Sequence, residues 1–537
     1  MQIYYLKNNK KMKTSVSNKD MEVLSSIENN RHVVKIKALE DITLLKADHY
    51  LNHRVTRKDR YFLNGYQSWT DTSEFYLCKR LRNIKKSPHL IVKQFAMDKY
   101  GDSNFYRYSI RKSHGYDVFY SKGQYESFIY SLNYENAYLI IELIKDHKKI
   151  IHLVSDVKGI TLKKGEELIV FDYKFFDSYE LGLKNYQIDF PKINVEKIFG
   201  YTSWYNYYQN INEEIILRDL AALDNRFNVF QIDDGYETFV GDWLDIDPQK
   251  FPNGLKVIVE KIKEKGFKAG IWLAPFAVET NSKTFKEHQD WLVKDKKGRP
   301  VKTGGNWSGF YALDIYNQEV RDYIKKCLIY YMDMGFAFFK LDFLYASALM
   351  PVKGKSRCQV QLEAYRLLRD ILKDKIILGC GANIINSYKA FDYLRIGPDV
   401  SLKFDDVAFM RLFHRERIST KVTLQNTIYR SLFNNHLFGN DPDVFLLRDD
   451  NIELSKEQKY ALTKINALFG SVLMTSDNIA TYDEYQKGVL TEALDLFKNA
   501  KVLSASRINK KEIAISYELN GKKVNMVYNT KKGVLHE

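Results

Sequence analysis

From about residue 195 onward, strand-like runs alternate with helix-like ones, and the alternation repeats eight times. The strand-like runs are "KIFGYTSWY", "FNVFQIDDGY", "FKAGIWLAPF", "FAFFKLDF", "KIILGCG", "YLRIGPDV", "LFGNDPDVFLL" and "SVLMTSDNI". Helical stretches such as "NEEIILRDLAAL", "GLKVIVEKIKEKG", "NQEVRDYIKKCLIYYMDMG", "VQLEAYRLLRDILKD" and "KEQKYALTKINALFG" lie between them. Eight such units predict a (β/α)8 TIM barrel, placed over residues 195–497. A doubly wound open sheet is the competing topology. It usually has fewer strands and a glycine-rich phosphate loop, and no such loop occurs in this sequence.

The flanking segments read differently. Residues 1–194 alternate short apolar, β-branched and aromatic runs with polar turns, as in "RHVVKIKALED" and "YESFIYSLNYENAYLIIELIKD". That pattern predicts an N-terminal antiparallel β-sandwich domain. Residues 498–537 return to short strands, with an Asn-Gly hairpin signal in "ELNGKK", and predict a small C-terminal antiparallel β domain. The fold class expected is therefore multidomain α/β.

The run "AFFKLDFLYAS" is apolar enough for a core strand, yet Lys340 and Asp342 fall on one side of it, since side chains alternate with period two. Charges are seldom buried unpaired. Similar residues end the other strands: Trp204 and Tyr205, Asp233 and Asp234, Trp272, Cys380, Arg395 and Asp399, Asp441 and Asp443, and Asp477. In a (β/α)8 barrel this end of the strands is the active-site face. A lone Asp after a strand reads more simply as a helix cap, and "NDPD" is also good turn chemistry. Agreement across eight strands is the stronger signal.

Several carboxylates among aromatic rings favour glycoside hydrolysis. Asp342 and Asp399, two strands apart, could serve as nucleophile and acid/base. In a retaining enzyme such a pair sits about 5–5.5 Å apart. Lys340 beside Asp342 would hold that carboxylate ionised. Asp399 would need a proton in the free enzyme, and Arg395 on its own strand works against that unless it points at substrate. No HExxH, His-rich metal pattern or GxSxG elbow is present. No cofactor or metal is expected, although counting carboxylates does not separate a catalytic set from a Mg²⁺ site.

Composition limits partners and compartment. Lys and Arg total 82 against 67 Asp and Glu, a formal net charge of +15. The cations are spread along the chain without a nucleic-acid motif, so they read as a solvated surface. The four cysteines, Cys78, Cys327, Cys358 and Cys380, form no CxxC pair, which points to a reducing compartment. The first twenty residues lack an apolar signal core, and no run approaches the roughly 20 apolar residues of a membrane span. A soluble, cytoplasmic protein without nucleic-acid or membrane partners is expected, and a homo-oligomer is compatible with the sequence.

The runs "NGYQSW", "QIDDGY", "KFPNGL", "GIWLAPF", "YALD", "FFKLDFLYA", "LGCG", "RIGPD" and "NDPD" occur in order from residue 64 to about 443. Together they resemble glycoside hydrolase family 36, the α-galactosidase family, and its shorter bacterial members in particular. The resemblance implies an N-terminal β-supersandwich, a catalytic barrel and a C-terminal β domain. It implies retaining, cofactor-independent hydrolysis of terminal α-galactosides such as melibiose or raffinose. Asp342 then resembles the nucleophile and Asp399 the general acid/base, with Lys340 and Arg395 as substrate contacts. Asp233 and Asp234 resemble the pair gripping the galactose 4- and 6-hydroxyls. Trp204 and Trp272 resemble ring-facing walls, Cys380 lies where the family senses the 2-position, and Trp69 would reach the site from the β domain. Without the resemblance, Trp69 reads as a core tryptophan and Cys380 as a buried thiol. Many members have Lys-Trp-Asp where this chain has Lys340-Leu341-Asp342, and Trp in place of Tyr236, which leaves the aglycone and 2-substituent preferences open. An α-N-acetylgalactosaminidase, a raffinose-synthase-like α-galactosyl transferase and a non-catalytic binding protein are the competing readings.

Overall fold

The structure is a computed structural model that describes residues 1–77, 81, 82, 84, 89–145 and 150–536; Cys78 lies outside them. Two seven-stranded antiparallel sheets occupy the N-terminal third. They share a core in which Leu44, Ile141 and Leu153 of one sheet meet Ile36, Phe119 and Ile129 of the other. Part of the second sheet is buried on both faces. Along Val118–Lys122 and Ser127–Ser131, Phe119 and Ile129 face the first sheet. Val118, Tyr120, Phe128 and Tyr130 face the rest of the protein and join its main core. Period-two alternation sends successive residues to opposite faces, so strands buried at successive positions mark a sheet covered on both sides.

The next sheet is parallel and curled. In spatial order its strands are Gly439–Asp441, Tyr393–Arg395, Ile376–Gly379, Phe338–Leu341, Lys268–Leu273, Val229–Ile232, Ile198–Thr202, Val472–Thr475 and Val444–Phe445. Its two edges, Gly439–Asp441 and Val444–Phe445, are successive pieces of one run, so the sheet curls round until both edges reach the same stretch of chain. Every strand-like run from residue 195 onward forms a strand here, and each of the five quoted helical stretches forms a helix. Helices Arg357–Leu372, Lys456–Phe469 and Glu484–Asn499 each start in a reciprocal cap, Ser356 with Gln359, Ser455 with Gln458 and Asp483 with Gln486. Such pairs satisfy two orphan N–H groups at once.

Between the third and fourth strands lies an excursion that the sequence reading did not resolve. Ala277–Glu279, Lys302–Gly304 and Phe310–Ala312 form a three-stranded antiparallel sheet. Strands of three residues are too short to show an alternation pattern. The C-terminal strands Lys501–Arg507, Glu512–Leu519, Lys522–Asn529 and Val534–His536 form a four-stranded antiparallel sheet. Its central hairpin turns on Asn520 and Gly521, both at positive φ (51° and 76°), as an Asn-Gly turn requires.

Candidate active site

One cavity of about 910 Å³ opens at the C-terminal ends of the parallel strands. Trp69, Trp204, Asp233, Asp234, Trp272, Lys340, Asp342 and Asp399 all line it. Cys380 and Arg395 lie behind this lining, fully buried or nearly so.

Asp342 follows the strand Phe338–Leu341. Its Oδ2 accepts the indole N–H of Trp272 at 3.1 Å, and its Oδ1 accepts the backbone N–H of Phe343 at 2.7 Å. Phe343 takes the left-handed conformation (φ 52°), which turns the chain away just after the carboxylate. Lys340 does not pair with Asp342 as the sequence reading expected. Its ammonium donates to Asp233 at 2.8 Å. The strand ending at Asp233 is two away from that of Lys340, and side chains from alternate strands meet in one interior layer of a curled parallel sheet. Burial works against the lysine's charge, but Asp233 and Asp342 outweigh it and its pKa rises.

Asp233 is saturated with donors. Thr202 Oγ1 (3.1 Å), Gln231 Nε2 (2.7 Å) and Lys340 all reach its Oδ2, and the N–H of Asp234 reaches Oδ1 at 3.0 Å. Asp234 accepts from Gln209 Nε2 at 3.0 Å and from Trp307 Nε1 at 2.8 Å. Burial raises its proton affinity against those donors. Glu237, buried nearby, is raised well above the carboxylate range by burial and by the charge of Asp234. Gly235 follows at φ 118°, and a Cβ there would lie 2.7 Å from the backbone of Gln209. The glycine of "DDGY" thus lets Gln209 close on Asp234.

Asp399 keeps about a third of its side chain exposed. Arg395 Nη1 sits 3.0 Å from it, yet the same guanidinium also meets Asp441 at 2.7 Å and Asp443 at 2.9 Å. One cation shared among three carboxylates neutralises each of them only in part. Burial raises the pKa of Asp399, Arg395 pulls it down, Asp342 pushes it up again, and the net direction is upward. Asp443, held by Tyr205 at 2.5 Å and by the N–H of Val400 at 2.7 Å, is pushed up to about 7, chiefly by burial. The "NDPD" carboxylates therefore clamp Arg395, and Arg395 positions Asp399 rather than facing the cavity.

Trp69 arrives from the N-terminal sheets. Its indole N–H points at Cys380 Sγ, 3.3 Å away. Burial holds that thiol protonated, its pKa well above the usual. Gly381 (φ 64°) lies where a Cβ would come within 3.0 Å of the indole. The "NGYQSW" loop is anchored by Arg430, a buried side chain outside the sequence-derived set. Its guanidinium donates to the carbonyls of Ser68 (2.5 Å), Gln67 (3.0 Å) and Ile396 (2.8 Å) and to Asn64 Oδ1 (3.1 Å). Burial lowers its pKa to about 9, so it remains a cation at neutral pH.

Sequence reasoning also missed Trp307, Gln209 and Glu237. Trp307 comes from the three-stranded excursion, at φ 53°, and its one sequence signal is a tryptophan inside the polar run "TGGNWSG". Among the described residues no group of three or more His, Cys, Asp or Glu side chains is placed to hold a metal ion.

A family model described as Melibiase matches residues 200–358, the segment that carries Trp204, Asp233, Asp234, Trp272, Lys340 and Asp342. An α-galactosidase of Escherichia coli is 27% identical over 207 residues, which is 37% of this chain and 28% of the relative. Such matches span well under half the length of the curated relatives. Structural likeness extends further. TtGalA, an α-galactosidase from Thermus thermophilus, superposes with a TM-score of 0.72 at 23% identity, covering 94% of this chain and 99% of its own. AgaA, a family 36 α-galactosidase from Geobacillus stearothermophilus, gives 0.60 at 13% identity, covering 95% and 74%. At these identities the likeness establishes a shared fold.

Proposed function

We propose that this chain is a retaining, exo-acting α-galactosidase that releases terminal α-linked galactose, with melibiose- and raffinose-type oligosaccharides among its substrates. The observation that carries this reading is that Asp342 and Asp399 line one cavity in opposite settings. Asp342 accepts the indole N–H of Trp272 and the backbone N–H of Phe343, which fix its carboxylate oxygens in place. Asp399 is partly exposed, and its proton affinity is raised. That is the division of labour between a nucleophile and a general acid.

In the first step a carboxylate oxygen of Asp342 attacks the anomeric carbon. The glycosidic C–O bond breaks, and Asp399 gives its proton to the departing oxygen. In the second step Asp399 takes a proton from water as that water displaces Asp342, which restores both groups. Asp233 and Asp234 would hold the galactose 4- and 6-hydroxyls, because acceptor carboxylates suit an axial hydroxyl, and Lys340 would reach substrate hydroxyls as a donor. Trp204, Trp272 and Trp69 would wall the ring. The relatives support the sugar: the E. coli protein is an α-galactosidase, and TtGalA is solved in complex with p-nitrophenyl α-D-galactopyranoside and with stachyose. The same reading divides the chain into a β-supersandwich domain (1–194), a (β/α)8 barrel (195–497) and a C-terminal β domain (498–537), working in the cytoplasm.

The test is release of p-nitrophenol from a panel of aryl α- and β-glycosides, with Asp342→Ala as control. Cleavage confined to the α-galactoside and lost in the variant is expected. Cleavage of the N-acetyl-α-galactosaminide in its place would move the reading to that sugar. Silence of the folded protein on every glycoside would overturn it.

A further inference from the structure

The cavity extends beyond the carboxylates to an end that the proposed mechanism does not use. Two short helices from distant parts of the chain, His89–Gln94 and Ala408–Phe413, build that end. Val92 and Met97 pack there on Phe409, Met410 and Phe413 in a small core of their own. Beside Met97, Phe409 and Met410, the cavity is lined by Ile91, Phe95, Val407 and Ile418, which remain 40%, 45%, 64% and 54% exposed. A contiguous set of exposed apolar side chains beside a deep pocket marks a surface that something covers.

Several polar groups at this end already have partners of their own. Lys403 pairs with Glu453 at 3.0 Å, Asp405 takes Arg417 at 3.0 Å and Ser419 at 2.7 Å, and Asp406 accepts the N–H of Val407 at 2.7 Å. Glu416 accepts from Thr70 at 2.8 Å. A second sugar unit would need free donors and acceptors for its hydroxyls, whereas an alkyl or aryl group needs none. We propose that this end is an aglycone subsite for apolar groups, so that α-galactosides of alkyl or aryl alcohols gain binding there that a further sugar does not. The proposal rests on the α-galactosidase reading and deepens it: galactose takes the carboxylate end, and the leaving group lies along Ile91, Phe95, Val407 and Ile418.

The experiment compares methyl, butyl and octyl α-galactosides and raffinose, hydrolysed by the full chain. An apolar subsite predicts that kcat/KM rises about two- to fourfold per methylene over the first carbons, the factor for moving a methylene out of water, mostly through KM. The double variant Phe95→Ser, Ile418→Ser should lower the octyl-over-methyl ratio by roughly tenfold or more, as two apolar contacts are lost. Equal kcat/KM for methyl and octyl galactosides, or a ratio unaffected by the double variant, would overturn the subsite while leaving the α-galactosidase reading intact. Cleavage of none of the four would overturn both.

Discussion

Asp399 and Asp342 differ in what surrounds them more than in where they lie. If Asp399 supplies the proton, Asp399→Ala should slow hydrolysis of raffinose by about 10²–10⁴-fold. It should slow a p-nitrophenyl galactoside far less, because that leaving group needs little acid help. Equal losses on the two substrates would remove Asp399 from the acid/base role. Asp234 carries a second prediction. The Trp307 N–H favours its ionised form, so Trp307→Phe should raise the proton affinity of Asp234. The acidic limb of the kcat/KM profile should then move to higher pH. An unmoved limb would mean that ionised Asp234 is not needed for binding. Asp342, Asp399, Asp233 and Asp234 were legible as residues of the cavity because a carboxylate ending an apolar strand must meet water, a cation or a ligand. Trp307 was not, because its strands are short and its loop is polar.

At the scale of elements, the decisive contact joins a loop of the N-terminal sheets to the end of the parallel sheet. Arg430 bonds the carbonyls of Gln67 and Ser68 on one side and of Ile396 on the other. Ser68 N–H also donates to the carbonyl of Ala382 at 2.9 Å. Arg430→Ala would leave several buried carbonyls without donors, at a cost of roughly 3 kcal/mol or more. It should lower both the melting temperature and kcat/KM, since Trp69 depends on that loop. A variant that melts lower with unchanged kinetics would show that Trp69 is held by other contacts. The helices and strands were readable one at a time from their periodicity and caps. Their meeting at Arg430 was not, because "IYRSLF" gives no sign that its arginine is buried.

Across the whole molecule, buried ionisable groups make stability depend on pH. Asp117, on the turn between Lys112–Tyr116 and Val118–Lys122, accepts the N–H of Leu139 at 2.9 Å through Oδ1, and Oδ2 has no partner among the described residues. Burial pushes its carboxyl up to about 7. In the unfolded chain it would ionise near pH 4. Between those values the folded state holds a proton that the unfolded state has released, so stability falls as pH rises from about 4 to about 7 and then levels off. Asp117→Asn keeps the acceptor, tolerates the positive φ of 64° and removes the titration. Its melting temperature should match the parent near pH 4 and exceed it above pH 7. A gap independent of pH would show that the carboxyl is not what titrates.

The order of strands and helices was written in periodicity, because alternating and helical patterns report which face of each element meets the core. The candidate chemistry was written in residue type, because carboxylates and a lysine ending apolar strands call for partners. Pairing was a different matter. Lys340 was within reach of Asp342 along its own strand, yet it spans the curled sheet to Asp233. Arg395 looked like a substrate contact, yet Asp441 and Asp443 draw it behind the wall, where it positions Asp399. Partners of this kind depend on distances between segments far apart in the chain, and those distances exist only once the sheets have closed on one another.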